Sequence, residues 1–279
     1  MLSTHDSSDQ PSNVEVAGNT FEDNEENDIF TSGYGTFTGE EFDADEINLN
    51  QNEILGSGLN HTGEKDLDAT NNFWGAASGP DGEGQGDGAS VSENVDFTPW
   101  LLEADGETYD RTVSLATGNE WDAVSSGVPV EGIDLAYDGE VKELDDSEAT
   151  VISYEGQENT WASVSSPSML TGMFVQGGDA LGIDEDEEPE TITRDLEEGW
   201  NLVGAYEENS VFNQFSPVAD SLNSVVSPDR NVFADGLSPG STFNFENTDE
   251  GDENKASAFW LRVSESATLS TTPSPEGEE

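Results

Sequence analysis

Apolar residues in the first third of the chain recur in a short pattern that occurs three times. Each copy has two apolar residues at alternate positions, then an asparagine and a further apolar residue: Val14-x-Val16-x-x-Asn19-x-Phe21, Ile47-x-Leu49-x-x-Asn52-x-Ile54 and Leu67-x-Ala69-x-x-Asn72-x-Trp74. Alternation with a period of two predicts a short strand with one buried face. The asparagine favours a tight bend, because it tolerates left-handed backbone and bonds its own main chain.

The spacing of the three copies indicates a stack of short strands. The second and third copies begin 20 residues apart, which is about one coil of a β-solenoid. The first and second copies begin 33 residues apart. We therefore expect an insertion in the first coil, and the acidic stretch 22–28 is the candidate.

The rest of the chain contains a second internal repeat, with a constant offset of 79 residues. The matching positions are Thr112 with Thr191, Trp121 with Trp200 and Tyr154 with Phe233, followed by 172–175 with 258–261 after a longer insertion. These segments are short and rich in aromatic and β-branched residues, which predicts strands. The best helical candidate is 215–225, where apolar residues have helical spacing. We predict two small β-sandwich-like repeats.

The end of the first third resembles a known family. Residues 68–101 contain Asn72-Phe73-Trp74-Gly75 and then Pro99-Trp100-Leu101, in that order. This is similar to the last coil and cap of right-handed parallel β-helix repeat proteins, including the periplasmic copper-site-maturation type. The resemblance covers about 12–102 and implies a parallel β-helix that is truncated at its N-terminus. It implies no chemistry, because such helices include lyases, hydrolases, epimerases and inert stalks.

A second resemblance covers the last repeat. Gly199-Trp200-Asn201-Leu202-Val203-Gly204, followed by Phe259-Trp260-Leu261-Arg262-Val263, resembles modules of archaeal cell-surface proteins in which a "GWNLVG" strand opens the module and a "GYWV" strand closes it. The first repeat matches loosely, because no glycine precedes Trp121. The resemblance implies extracellular display and transfers no catalytic residue.

Together these patterns predict an all-β protein, a truncated right-handed parallel β-helix followed by two small β-sandwich-like repeats. The predicted segments are 1–104 for the β-helix with its C-terminal cap, 105–190 and 191–271 for the repeats, and 272–279 for a flexible tail. The acidic run 184–190 is the predicted linker between the repeats. We expect Trp121 and Trp200 each to anchor the separate core of one repeat.

The net charge of the chain indicates the salt concentration of the solvent in which it folds. There are 62 acidic residues against 7 basic ones, a net charge of −55, and no cysteine for a disulfide or thiolate site. Hydrophobic residues are only 32%, and this balance favours disorder in ordinary buffer, so an acidic disordered linker is the alternative. The patterned aromatic residues and the three lysines instead indicate a folded halophile protein, since molar salt shortens the Debye length to ~3 Å.

The same charge limits the partners. Nucleic acid and anionic membranes need clustered basic residues, and the seven here are scattered. No apolar run approaches the ~18 residues of a membrane span, so we expect no membrane insertion. Cell-surface proteins, glycans and solvent cations remain as partners, and no cofactor is predicted.

We predict no catalytic, cofactor-binding or metal-binding residue. A β-helix lyase needs a basic residue for proton abstraction, and residues 1–104 contain three: His5, His61 and Lys65. A glycosidase needs facing carboxylates, for which the candidates are Asp45, Glu53, Asp66 and Asp68, interpreted as solvated surface charges. The loop 81–88 alternates acids with glycines, and it is interpreted as a mobile loop or, alternatively, a cation site.

Two further features concern binding and modification. The six tryptophans could include platforms for carbohydrate stacking, but core packing is the favoured interpretation for all of them. Trp161, which lies beside a polar stretch, is the candidate exception, although core packing is favoured there too. Asn60-His61-Thr62 is the N-glycosylation sequon of the chain, and Asn60 is predicted on a turn between coils as the glycosylation candidate.

These observations predict a non-enzymatic cell-surface or extracellular structural or adhesion-type protein of a halophile. Two alternatives stay open: the C-terminal fragment of a polysaccharide-active β-helix enzyme, and a viral fibre component, which we expect to be trimeric. Residues 1–6 lack the basic and apolar regions of a signal peptide. Export therefore implies a truncated start, a gene fragment or a non-classical route.

Overall fold

The structure is a computed structural model. It describes residues 14–31, 47–116, 120–126, 128–147, 149–156, 158–164, 167–186, 191–204, 215–227, 232–235 and 258–271. This part of the chain is nearly all β, which confirms the predicted class. No helix within it has the length and apolarity that a bilayer crossing requires. The predicted tail 272–279 lies outside the described residues.

Short strands dominate the first hundred residues. They are β1 (Val14–Ala17), β2 (Thr20–Phe21), β3 (Ile29–Thr31), β4 (Ile47–Asn50), β5 (Glu53–Ile54), β6 (Leu59–His61), β7 (Leu67–Asp68), β8 (Asp81–Gly82), β9 (Ser90–Val91) and β10 (Val95–Asp96).

Longer strands follow. They are β11 (Arg111–Ser114), β12 (Asp122–Ser126), β13 (Val130–Tyr137), β14 (Glu140–Glu143), β15 (Thr150–Glu155), β16 (Thr160–Ser163), β17 (Thr171–Gln176), β18 (Ala180–Glu185), β19 (Ile192–Leu196), β20 (Gly199–Gly204), β21 (Leu222–Ser227), β22 (Val232–Asp235), β23 (Ala258–Val263) and β24 (Ala267–Thr271). Two short 3₁₀ helices are η1 (Leu144–Asp146) and η2 (Ser216–Val218).

The short strands pair in parallel at the register that the sequence repeat predicts. One sheet has the order β1-β4-β7-β10, a second pairs β2 with β5, and a third has the order β3-β6-β9-β8. Val14 lies beside Ile47 in the first sheet, and Asn48 lies beside Asp68. The alignment of the three sequence copies is therefore confirmed by the strand pairing.

The asparagines stand at the same position in each of the three copies, and they form a row, Asn19, Asn52 and Asn72, that we call the asparagine ladder. The side-chain oxygen of Asn72 accepts hydrogen bonds from the main-chain N–H and the Nδ2 of Asn52, both at 3.0 Å. The side-chain oxygen of Asn52 accepts the equivalent pair from Asn19 at 3.1 Å. Asn52 and Asn72 are fully buried, so the ladder satisfies polar groups inside the stack.

The insertion in the first coil is divided between two places. Val14 to Ile29 spans 15 positions, whereas the paired residues Ile47 to Leu59 span 12. The acidic stretch 22–28 therefore contributes only three extra residues. Most of the insertion falls between β3 and β4, where 32–46 lie outside the described residues. The prediction that 22–28 is the insertion was thus correct only in part.

Trp74 and Trp100 pack in the core of the stacked strands, as expected. Trp74 is completely buried, and Trp100 is 5% exposed. The indole Nε1 of Trp100 donates to the carbonyl of Ala77 at 2.8 Å. Gly79 has a φ of +85°, and a Cβ there would lie 2.8 Å from the Trp100 ring. A glycine is therefore required at this contact for both conformation and space.

The chain forms two compact units, neither of which is continuous. Unit 1 comprises 1–115, 134–142 and 178–184, and unit 2 comprises 116–133, 143–177 and 185–279. These limits differ from the divisions at 104 and 190 that the sequence suggested. In addition, β18 continues to Glu185, so the first two residues of the predicted linker 184–190 belong to a strand.

Unit 1 contains most of a four-stranded sheet with the order β11-β18-β13-β14, in which β11 and β18 are antiparallel. Tyr109 fits against this sheet, because Gly182 leaves room: a Cβ at Gly182 would lie 2.6 Å from the tyrosine ring. The Tyr109 hydroxyl donates to Asp134 at 2.9 Å. Burial, followed by this hydrogen bond, raises the pKa of Tyr109 well above the usual tyrosine range.

Unit 2 is built on an eight-stranded sheet with the order β16-β15-β17-β20-β23-β21-β22, in which β12 also pairs with β17. Both predicted repeats contribute strands to it. Its main core joins Val128 and Leu170 from the first repeat with Val203 and Phe259 from the second. The expectation that each repeat has its own core is therefore not met.

A second point in unit 2 concerns 215–225, which was the best of the poor helical candidates in the sequence. The structure has the 3₁₀ helix η2 and then strand β21 in this segment. Pro217 occupies the first turn of η2, and Val225 is β-branched, which favours a strand. Val225 lies opposite Leu261 in the neighbouring strand β23, so tertiary pairing overrides the helical spacing.

Candidate functional site: an aromatic cluster on unit 2

The eight-stranded sheet has two apolar faces, because several of its strands carry apolar residues at successive positions. In β23, Phe259, Leu261 and Val263 belong to the main core of unit 2. Trp260 alternates with them and packs instead with Leu202 and Ala258. Side chains alternate between the faces of a strand, so Trp260 lies on the face opposite the main core.

Five rings on this opposite face form what we call the aromatic cluster: Tyr154, Trp161, Phe174, Trp200 and Trp260. Trp260 is its centre. The centroid of Trp260 lies 5.2 Å from that of Tyr154, 5.7 Å from Trp161, 6.4 Å from Phe174 and 6.3 Å from Trp200. The planes of Trp161 and Trp200 are almost perpendicular to Trp260, at 88° and 89°. Edge-to-face contacts of this kind contribute about 0.5–1.5 kcal/mol each and hold the rings in place.

Two members of the cluster are exposed to solvent. Trp161, the candidate exception among the tryptophans, is 47% exposed, and Trp200 is 39% exposed. Core packing was the favoured interpretation for both residues, and the structure does not show it. Trp121 lies outside the described ring contacts and is 43% exposed. The prediction that Trp121 and Trp200 anchor buried cores was therefore wrong. In β20, Trp200 lies on the face of the aromatic cluster, while Val203 belongs to the main core.

A pocket opens beside Trp260. Its volume is about 350 Å³, and its lining, among the residues that the structure describes, comes from Tyr154, Trp200, Val226 and Trp260. This size lies at the lower end of the range for small-molecule sites. Strands of a single sheet supply all four residues, so the lining is set by a rigid scaffold rather than by loops.

Two polar residues, Asn159 and Arg262, neighbour residues that line the pocket. The Tyr154 hydroxyl donates to the side-chain oxygen of Asn159, and Asn159 has a φ of +52° in the turn between β15 and β16. Arg262 lies directly opposite Trp200 in the antiparallel pairing of β20 and β23 and is exposed. This is one of only seven basic residues in the whole chain.

The structure places three of the four carboxylates considered for glycoside hydrolysis. Asp45 lies outside the described residues, and Asp66 and Asp68 are exposed. One oxygen of Asp68 accepts hydrogen bonds from the N–H and hydroxyl of Thr70, at 3.1 and 2.9 Å. Asp68 is also next to Asp96 in the parallel register. Glu53 lies in β5, where it pairs with Thr20.

His61 has a structural environment within unit 1. Its side chain is buried, its Nδ1 lies 2.7 Å from the hydroxyl of Thr31, and its Nε2 lies 2.9 Å from the carbonyl of Lys65. Both ring nitrogens are thus engaged within the stack. His5, the other histidine, lies outside the described residues.

Close packing explains the glycines of the loop 81–88. A Cβ at Gly84 would lie 2.4 Å from the carbonyl oxygen of Pro80, and one at Gly86 would lie 2.3 Å from that of Gly79. Neither mobility nor ion binding is needed to account for them. The described carboxylates close enough to share a cation are instead Glu143, Asp145 and Asp146, all of them exposed.

Asn60 does not lie on a turn, contrary to expectation. It is the central residue of strand β6, is half-buried, and lies beside Phe30 in the pairing of β3 with β6. A residue on a strand can still project a glycan, so Asn60 stays the glycosylation candidate.

Sequence reasoning missed Tyr154, Phe174 and Trp260 as members of a surface cluster. The available signal was the presence of bulky apolar residues at successive positions of β23, which implies two apolar faces of which one need not be covered. No family model, curated protein or solved structure matches the chain in comparisons with known proteins.

Proposed function

We propose that this chain is a non-enzymatic cell-surface or extracellular adhesion-type protein of a halophile. In this proposal the parallel strands of unit 1 are the last coils of a right-handed parallel β-helix, and unit 2 carries the binding surface. The observation that carries the proposal is the aromatic cluster. Its exposed tryptophans, Trp161 and Trp200, lie on a single sheet, and Trp200 also lines an open pocket.

Energetics favour a binding role for these rings. The exposed parts of Trp161 and Trp200 amount to roughly 100 Å² per ring. Covering each with a partner would contribute about 2.5 kcal/mol. Tryptophan is also among the residues that most often dominate binding energy at interfaces. The ring contacts around Trp260 reduce the entropy that Trp161 and Trp200 would lose on binding.

The charge distribution supports a high-salt environment. Asp68 and Asp96 are exposed neighbours on adjacent parallel strands, and like charges in such positions destabilise a sheet. The net charge of −55 adds general self-repulsion. Molar salt reduces both effects, which is why a halophile protein tolerates this surface.

A sedimentation assay tests the proposal. The purified chain is mixed with envelopes of a halophilic archaeon in molar KCl, and the fraction that sediments is measured against protein concentration. We expect the Trp161→Ala, Trp200→Ala double variant to bind at least about tenfold more weakly than the unmodified chain. Trp121→Ala is the matched control, because it removes an exposed tryptophan outside the described ring contacts.

Two results would contradict the proposal. The unmodified chain could remain in the supernatant, or the double variant could sediment as well as Trp121→Ala does. Circular dichroism of each variant in the same buffer verifies folding, which we expect to be retained because the replaced side chains are partly exposed.

A further inference from the structure

The pocket beside Trp260 offers little to a ligand that needs hydrogen bonds. Its described lining consists of three aromatic residues and one valine. Their side-chain hydrogen-bonding groups are the Tyr154 hydroxyl, which is already donated to Asn159, and the two indole N–H groups of Trp200 and Trp260. A ligand with several hydroxyl or amide groups would lose more hydrogen bonds to water than these groups can replace. The pocket therefore favours a group without hydrogen-bonding requirements.

The electrostatics of the pocket favour a positive charge on that group. The faces of aromatic rings carry partial negative charge. The ring planes of Trp200 and Trp260 are almost perpendicular, so the faces of the two rings point in different directions. In molar salt the net charge of −55 is screened beyond ~3 Å, so the attraction comes from the ring faces in contact with the ligand. A cation over a tryptophan face is attracted by the ring, more strongly where water is excluded.

We infer that this pocket binds a quaternary ammonium group, a cation with methyl groups and no N–H donor. The inference rests on the proposed function, because it names the ligand chemistry of the same surface. Methyl groups gain from contact with Val226 and the rings, and the charge gains from the ring faces. Potassium and sodium ions have no methyl groups to contact Val226 and the rings, and the pocket does not compensate for the hydration that they would lose. The site therefore discriminates against them even in molar salt.

Arg262 provides a sharp test of the sign of the ligand charge. It is exposed and lies opposite Trp200, so its guanidinium repels a cation in the pocket and would attract a carboxylate or support a sugar hydroxyl. Arg262→Gln is therefore expected to tighten the binding of a quaternary ammonium group. The same change would weaken the binding of an anion or a sugar.

The experiment is a calorimetric titration of the full chain with choline chloride in molar KCl. A parallel titration uses the neutral isostere of choline, in which carbon replaces the nitrogen. We expect choline to bind about tenfold more tightly than the isostere. We also expect Trp200→Ala to weaken choline binding about tenfold, Trp121→Ala to leave it unchanged, and Arg262→Gln to strengthen it about threefold.

Several outcomes would overturn the inference: no heat with choline, equal binding of choline and its isostere, or weaker choline binding by Arg262→Gln. The envelope assay separates this inference from the proposed function. Tryptophan-dependent sedimentation without choline binding would remove the ligand class and leave the adhesion role. Choline binding without sedimentation would remove the adhesion role and leave the ligand class.

Discussion

Replacing Asn52 by alanine removes the middle member of the asparagine ladder and tests whether the ladder stabilises unit 1. The Asn52 side chain takes part in four hydrogen bonds. Its oxygen accepts from the N–H and Nδ2 of Asn19, and its Nδ2 donates to the carbonyl of Val16 at 2.7 Å and to the oxygen of Asn72 at 3.0 Å. No solvent reaches this side chain.

The expected cost follows from the groups left without a partner. The oxygen of Asn72 keeps its bond from the main-chain N–H of residue 52, at 3.0 Å. The carbonyl of Val16 and the N–H of Asn19 lose their side-chain partners. Each unsatisfied buried group costs about 1–3 kcal/mol, and Asn19 is exposed enough to recover part of its loss from water. We therefore expect Asn52→Ala to lower the free energy of unfolding by about 3 kcal/mol.

Urea unfolding in molar KCl, followed by far-ultraviolet circular dichroism, measures this change. Asn48→Ala is the matched control, because Asn48 lies in the adjacent strand β4, is exposed, and accepts a hydrogen bond from the Asn50 side chain. We expect the control to change stability by less than about 0.5 kcal/mol. A loss below about 1 kcal/mol for Asn52→Ala, or equal losses for the two variants, would refute the reasoning.

Three further changes test other parts of the structure. Gly79→Ala is expected to lower the free energy of unfolding by about 3 kcal/mol, because Gly79 has a positive φ and an added Cβ would meet the Trp100 ring. Gly18→Ala should lower it by only about 1 kcal/mol, because Gly18 has a positive φ but open space around it. Thermal unfolding compares the two variants, and equal losses would contradict the contact with the ring. Asp68→Asn should stabilise the fold by about 0.5 kcal/mol at reduced salt and not in molar KCl, as urea unfolding at two salt concentrations will show. Burial raises the pKa of Tyr109, so the folded state retains this proton and stability falls as pH rises through the ordinary tyrosine pKa of about 10. Tyr109→Phe should reduce this loss of stability at alkaline pH, as melting temperatures measured against pH will show. An unchanged dependence on pH would contradict the role given to Tyr109.

The stack in unit 1 could be predicted from the sequence because its signal is local and periodic. A fixed offset from an alternating apolar pair to asparagine specifies which residues lie side by side, and the pairing of Val14 with Ile47 follows that offset. The same periodicity says nothing about 32–46, since an insertion has no partner in the other copies.

The candidate site could not be predicted in the same way. A strand such as β20 has apolar residues on both faces, and the sequence does not indicate which face another layer covers. Trp200 and Val203 are both apolar, yet only Val203 belongs to the main core. The meeting of Tyr154 with Trp260, 106 positions apart in sequence, depends on strand order, which local patterns do not specify.

The discontinuity of unit 1 has a consequence for the order in which the protein can fold during synthesis. Strand β11 pairs with β18, and unit 1 is not complete until residue 184 has been made. Ribosomes add about 5–20 residues per second, so the 69 residues after position 115 take about 4–14 s. During this interval β11 lacks its partner strand, and an unpaired strand is a site for association with other chains. Unit 1 therefore begins first but cannot be completed until 116–133 and 143–177 of unit 2 have also been made. Throughout this interval the edge of β11 has to stay soluble without its partner strand.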